Sequence, residues 1–419
     1  MRPISGRRWP AFAAAVSKAV PTPSRSRSRP ARPTRFAAFS TAKSRSKTRF
    51  RSFSGRSRND AAVERGARVS EGFAWGGPAG RGLIRACPDD FEVEEVLGHE
   101  PSGEGEHLWL WIEKREHNTV DVAGMLARAA GLHPRQVSFA GLKDRNAVTR
   151  QYFSLHLAGR DDPDWHAADL PGVRVLSGQR SARKIQRGRL HGNRFTLVVR
   201  GLEGDRDEIE QRLLCLRDHG APNGFGEQRF GGNNIARARA LFAGQLRRKP
   251  SKHKRGFYLS AARSLLFNQV LRQRIDNGSW NRILEGEVAM LDGSRSFFLP
   301  DPADPAIRER CERLDVHPTG PLAGAGDSPL SGEVAELEQA VFAAEPDLVL
   351  GLQRFGLRHE RRPLRMRIGA LEWSEPEPNT LKLAFTLGQG SYATSVLREL
   401  IDYDLSTESR LGSAHGRGL

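Results

Sequence analysis

Apolar and polar positions alternate along EHLWLWIE (Glu106–Glu113). Leu108, Leu110 and Ile112 share one face and Trp109 and Trp111 the other, which predicts a strand. HNTVDVAGMLARAAG then changes to helical spacing, with Val122, Met125, Leu126 and Ala129 on one face. Asn118 or Thr119 can cap this helix and Gly131 can end it. QVSFAG reads as a short strand and Val148–Leu157 as a longer alternating one. Arg194–Arg200 predicts a further strand, and Asp205–His219 a helix carrying Ile209, Leu213 and Leu216. Leu259–Ile275 is strongly amphipathic, and Asn268 and Gln269 within it read as structural or surface groups.

Residues 276–363 are looser and richer in Pro and Gly, with an acidic helix near Glu333–Glu345. Strands return at Leu364–Trp373 and Thr380–Leu387, and Ser391 is positioned to cap a last helix. A late return of strands favours an insertion over three separate beads. The expected architecture is α/β (α+β). Its body is built from residues 76–248 and 364–419, with a lobe at 249–363 inserted between them.

Composition changes this picture mainly at the N-terminus. The net charge is +17, but residues 1–59 hold 16 Lys+Arg and no acid. The remainder carries 50 basic and 49 acidic residues. Residues 1–75 are rich in Arg, Ser and Pro, which predicts disorder. Such a tail can be a transit segment, an RNA-contacting arm, or an extension without a role. Its removal is expected to leave activity in vitro unchanged. Apolar runs such as Ala11–Val16 are too short to span a bilayer. Cys87, Cys215 and Cys311 are far apart and form no CxxC pair, so neither a disulfide framework nor a zinc site is expected.

Charge is also segregated inside the near-neutral body. Residues 170–202 contain eight Lys+Arg and no acid, and residues 228–275 contain twelve and no acid. The densest parts are Arg180–Arg194 and Arg247–Gly256. They can form one positive face towards phosphates, or two solvated loops.

Candidate chemistry centres on SFAGLKDRNAVTRQYF, Ser138–Phe153, the connection between two predicted strands. Asp144 lies between Lys143 and Arg145. In an extended segment those two cations point to opposite sides, so the aspartate can take its charge partner from elsewhere. On its own the segment also reads as a solvated turn. No Ser-His-Asp arrangement, paired carboxylates or nucleotide-binding glycine loop accompanies it.

The segment does not stand alone. Together with CPDDFEVEEVLG, SGEGEHLWLWI, PNGFGEQRFGGNN, SAARSLLFNQVL and GSYATSVLREL, it resembles the TruD family of tRNA pseudouridine synthases. The motifs occur in order from about Gly82 to Ile401, roughly three quarters of the chain. The resemblance implies a pseudouridine-synthase-like catalytic domain with a mixed, largely antiparallel sheet, and an inserted TRUD-type lobe. It implies isomerisation of a tRNA uridine, usually at position 13, without cofactor or metal. The carboxylate of GLKDR maps to Asp144, and Arg85 matches the basic position that pairs with it. Phe91 matches an aromatic that stacks on the target base, and Asn223 and Phe225 match base-contacting positions. Gly224 departs from a position that is often aromatic. Lys143 is expected near the RNA or the carboxylate. Arg183, Lys184, Arg187, Arg189, Lys252 and Lys254 are expected to contact phosphates. The expected protein is a cytoplasmic monomer whose partner is tRNA. A non-catalytic RNA-binding protein and a nuclease are the alternative classes. The intact GLKDR opposes the first, and the lack of metal-ligand spacing opposes the second.

Overall fold

The computed structural model describes residues 72–405, apart from 227, 228 and 232. The expected disorder of the tail up to residue 71 lies outside the described residues. The first half of the fold comprises β1 (Gly80–Ile84), β2 (Phe91–Val96), β3 (His107–Arg115), α1 (Thr119–Ala129) and β4 (Val137–Phe139). β5 (Val148–His156), β6 (Val173–Ser181), β7 (Gly192–Gly204) and α2 (Arg206–His219) follow. Asp205 accepts a hydrogen bond from the Glu208 amide to start α2, and Gly220, at φ 76°, ends it.

The chain then leaves the large sheet through β8 (Ala221–Pro222), α3 (Asn234–Phe242) and α4 (Lys252–Asp276). β9 (Ala289–Leu291), β10 (Phe297–Phe298), α5 (Pro305–Glu312) and β11 (Val316–Leu322) come next. α6 (Gly332–Ala344), α7 (Pro346–Arg354), β12 (Glu360–Pro363) and β13 (Arg365–Met366) complete this part. It is organised on a four-stranded sheet, β10-β9-β11-β12. α3 packs on α4 and α7 around Ala238, Leu266 and Leu352. β14 (Ile368–Glu377), β15 (Thr380–Gly388), α8 (Ala393–Leu400) and β16 (Ile401–Leu405) return the chain to the large sheet.

That ten-stranded sheet runs β14-β15-β7-β2-β5-β3-β6, with β1 on β7 and β16, and β4 on β5. It is antiparallel except for β1–β16 and β2–β5. β7 and β15 pair along their length, and a Cβ on Gly192 would lie 2.2 Å from the Leu387 carbonyl oxygen. One core joins Phe91, Phe195, Val199, Leu383 and Phe385 to Leu213 of α2 and Leu397 of α8. A second joins Leu108, Leu110, Ile112 and Phe153 to Val122 and Leu126 of α1. Register places both cores on one face of the sheet.

Four expected boundaries shift, each for a physical reason. β6 is absent from the sequence reading because it is an edge strand whose apolar alternation is confined to Val173 and Val175, after which a register shift and polar residues break the pattern. α4 starts at Lys252 rather than Leu259, because its first turns are solvated and carry no apolar period. Ser251 caps it by accepting from the Lys254 amide. Leu364–Trp373 is split into β13 and β14, with the Arg365 side chain turned inward to the Cys311 and Val316 carbonyls. Tyr392, not Ser391, occupies the N-cap of α8, and the Ser391 hydroxyl points to Asn223 Oδ1 at 3.4 Å.

Candidate active site

β2 and β5 are parallel neighbours, with Glu92 opposite Val148. The segments that lead into them therefore open at the same end of the sheet. One contains Arg85 and the other Asp144. β1 and β2 also follow one another in the same direction along one edge of β7, from Ile84 opposite Val199 to Phe91 opposite Leu197, so residues 85–90 loop out in a turn between them. Asp90 fixes that turn: it is buried, and Arg200 of β7 donates to its carboxylate from Nε at 3.0 Å and Nη2 at 2.7 Å. Arg85 precedes the turn in a left-handed conformation, φ 56°. Non-glycine residues take this region rarely, usually where the surroundings over-determine it.

The Arg85 guanidinium lies over the Phe91 ring, with Cζ 3.8 Å from the centroid, and donates from Nη2 to Asp144 Oδ2 at 2.8 Å. The side chain of Arg85 is 13% exposed and that of Asp144 52%. A pair this open is screened and contributes about 1 kcal/mol or less to stability. Its consequence is chemical: a half-open carboxylate is held in one orientation by a seated cation.

The Asp144 loop is built from beneath. The Lys143 amide donates to Thr119 Oγ1 at 2.9 Å, and Thr119 donates to Gln151 Oε1 at 2.9 Å. Gln151 Nε2 closes the relay on the Gly141 carbonyl at 3.2 Å. Lys143 turns inward, 4% exposed, and its ammonium pairs with the buried Glu95 at 2.7 Å. Here the ammonium is closed against a carboxylate and does not face solvent, where the expected contact with RNA would be made. Arg145 donates from Nε to the Glu116 carbonyl at 3.0 Å. Lys114, fully buried on β3, donates to the Asp144 carbonyl at 2.8 Å and the His117 carbonyl at 2.7 Å. Burial pushes the Lys114 ammonium down to about 8, against the nearby Asp144 charge and with help from Lys143.

Asn223 and Phe225 belong to a second cluster, where the chain enters and leaves the four-stranded part. Asn268 of α4 is fully buried and clamps Phe225, accepting from its amide and donating to its carbonyl, both at 2.9 Å. Arg362 donates to Asn223 Oδ1 at 2.6 Å and to the Gly390 carbonyl at 3.0 Å. Its Cζ lies 4.3 Å from the Phe225 centroid. Asn223 Nδ2 donates to the Pro363 carbonyl at 3.0 Å. Both of the expected base-contacting side chains are thus buried, and the Asn223 amide is engaged within the protein. Phe91 is buried too, edge-on to Phe195 and beneath Arg85. A base reaches the face of its ring that Arg85 covers only if the guanidinium moves aside.

Arg183, Lys184, Arg187 and Arg189 are exposed on the segment between β6 and β7. That segment is tied beside the Asp144 loop, with the Gly188 amide donating to the Ala140 carbonyl at 2.8 Å. Lys252 and Lys254 are exposed in the first turn of α4. No group of three or more His, Cys, Asp or Glu that could hold a metal occurs among the described residues. No helix among them is long and apolar enough to cross a membrane.

Sequence reasoning missed Lys114, Glu95 and Arg362. Two had a signal. Lys114 continues the inward face of Leu108, Leu110 and Ile112, and Glu95 that of Phe91 and Val93. A charge on a buried face requires a partner. Arg362 had no such mark, being one of several arginines around Pro363.

The family model for tRNA pseudouridine synthase D (TruD) matches residues 70–248 and 239–400. A tRNA pseudouridine synthase D of Hydrogenovibrio crunogenus is 45% identical over 335 residues, covering 80% of this chain and 96% of its own. That of Methylococcus capsulatus is 48% identical over 326 residues, covering 77% and 92%. In three dimensions the chain is similar to the crystal structure of a Methanosarcina mazei protein provisionally assigned as TruD. The TM-score is 0.64 at 23% identity, over 78% of this chain and 95% of that one, a likeness of fold. Family match, relatives and fold agree: this chain belongs to the tRNA pseudouridine synthase D family.

Proposed function

We propose that this chain isomerises a uridine of tRNA, at position 13, to pseudouridine, with Asp144 as the acting carboxylate. The observation that carries the reading is the Arg85–Asp144 contact: a half-exposed carboxylate, oriented from one side by a seated guanidinium and from below by a hydrogen-bonded loop. The relatives' names supply the reaction. The C1′–N1 bond breaks, the uracil turns over, C5 bonds to C1′, and the C5 proton leaves as N1 gains one. Either route open to an aspartate uses the same starting state. It attacks C1′ as the ionised nucleophile, or it removes a sugar proton as the ionised base. Arg85 donates to one oxygen of that carboxylate and fixes its orientation. Phe91 serves first as the seat of Arg85. Asn223 and Phe225, held by Arg362, back the wall on which the extruded base packs. Arg183, Lys184, Arg187, Arg189, Lys252 and Lys254 hold backbone phosphates. The reading needs no cofactor or metal, and treats the protein as a monomer working in the cytoplasm.

The test is incubation of the purified chain with unmodified tRNA and no additives, followed by mapping of pseudouridine. Asp144→Asn is expected to bind tRNA normally and to lose at least about 10³-fold in single-turnover rate. Substantial turnover by that variant sinks the assignment.

A further inference from the structure

Lys114 is a buried charge beside the acting residue that the reaction just described leaves unused. It occupies the inward face of β3 in line with Leu108, Leu110 and Ile112, where an apolar side chain would be the ordinary choice. Burying an ammonium is costly, and the acceptors it reaches are the carbonyl oxygens of Asp144 and His117. One belongs to the acting residue itself. The other precedes α1, whose Thr119 anchors the same loop.

We propose that Lys114 is a positioning residue for the isomerisation: its ammonium fixes the backbone of Asp144 and keeps a positive charge beneath the carboxylate. The proposal rests on the reading of Asp144 as the acting group. Arg85 and Lys114 divide the task. Arg85 grips a carboxylate oxygen, and a grip of that kind opposes the step in which the carboxylate gives up its charge. Lys114 holds the backbone instead, so it steadies the residue without occupying the reacting oxygen. A neutral donor can make these hydrogen bonds, but it cannot supply the charge.

The charged groups around Lys114 come from the loop. Asp144 favours its protonated form and Lys143 opposes it. The residues opposite it in register, Thr149 on β5 and Val173 on β6, do not titrate. Burial brings the ammonium down to about 8. It is charged below that pH and neutral above it, so the rate that depends on it falls as pH rises through about 8.

The experiment measures single-turnover pseudouridine formation on unmodified tRNA from pH 6 to 9.5, with tRNA affinity alongside. Lys114→Met is expected to lose about 10²-fold in rate at pH 7, with affinity within about twofold of the parent. The deficit should shrink above pH 8, where the parent has lost the same charge. A rate within about threefold of the parent, or a deficit constant across the pH range, overturns the proposal. Should Lys114→Met fail to fold, Lys114→Gln keeps a donor without the charge, and its return to the parent rate overturns it. Asp144→Asn run in the same series separates the two claims. If that variant turns over, the reading of the site has failed. If it is inactive while Lys114→Met is normal, only the role of Lys114 has failed.

Discussion

The four-stranded part and the Asp144 loop both bury cations, but they orient them differently. In the first, Arg274 is sealed from solvent. It gives Nη1 and Nη2 to the two oxygens of Glu287, at 3.1 and 3.0 Å, and Nη2 also to the carbonyls of Ser279 and Arg282. Glu287 accepts in addition from the amides of Thr319 and Leu284, at 3.0 Å each. Arg361 likewise joins Glu338 to Thr319. Charges and hydrogen bonds close on themselves there. Around Asp144 the cations Lys143 and Lys114 lie beneath the loop, and the carboxylate emerges half open. A closed network holds structure together, whereas an open one leaves a reactive group facing the substrate.

The largest effect should come from opening the closed network. Arg274→Met leaves Glu287 buried without its countercharge, and removing one partner of such a pair costs about 3–5 kcal/mol. Urea denaturation of this variant beside Asp144→Asn puts the comparison at risk. Arg274→Met should lose most of its stability, and Asp144→Asn should keep its midpoint while losing activity. Equal midpoints would mean that the two networks do not differ in kind.

The sequence carried much of this division, but unevenly. The alternation of β3, β5, β7 and β15 was legible because one face of each is apolar. β6 was not, because its apolar face is only Val173 and Val175, too short a period to read. Parallel pairing of β2 with β5 has no sequence signature, yet it is what brings Arg85 to Asp144 across 59 positions. That contact could be expected from the family resemblance and not from the letters alone. The inward lysine of β3 was legible as an anomaly. Its partner was not, since a backbone carbonyl carries no mark in the sequence.

An intermediate effect concerns where the body begins. The expected tail reaches residue 75, but Ala74 and Trp75 donate their amides to Glu399 of α8, at 3.0 and 3.1 Å. Glu399 is buried, and burial pushes its carboxyl up while these bonds pull it back. Arg398 donates to the Gly72 carbonyl, and Trp75 packs edge-on against Trp280. A truncation that retains Gly72 should change stability by less than about 0.5 kcal/mol. Removal through Trp75 should cost about 1–3 kcal/mol, because a buried carboxylate loses its donors. Identical urea midpoints for the two truncations would show that this segment belongs with the tail after all.

The smallest effects should separate cations by exposure alone. Arg187 and Lys254 face solvent, whereas Lys143 is closed against Glu95. An exposed cation that meets a phosphate releases about one counterion on binding. Arg187→Gln and Lys254→Gln should each weaken tRNA binding about threefold at moderate salt, and lower the slope of log affinity against log salt by about one. Lys143→Met should leave that slope unchanged. Its cost should appear in stability, because Glu95 then stays buried without its charge partner. A reduced slope for Lys143→Met would place its ammonium at the RNA in the bound state and return it to the open side of the comparison. Unchanged slopes for both exposed cations would instead move the RNA away from the β6–β7 segment and the start of α4.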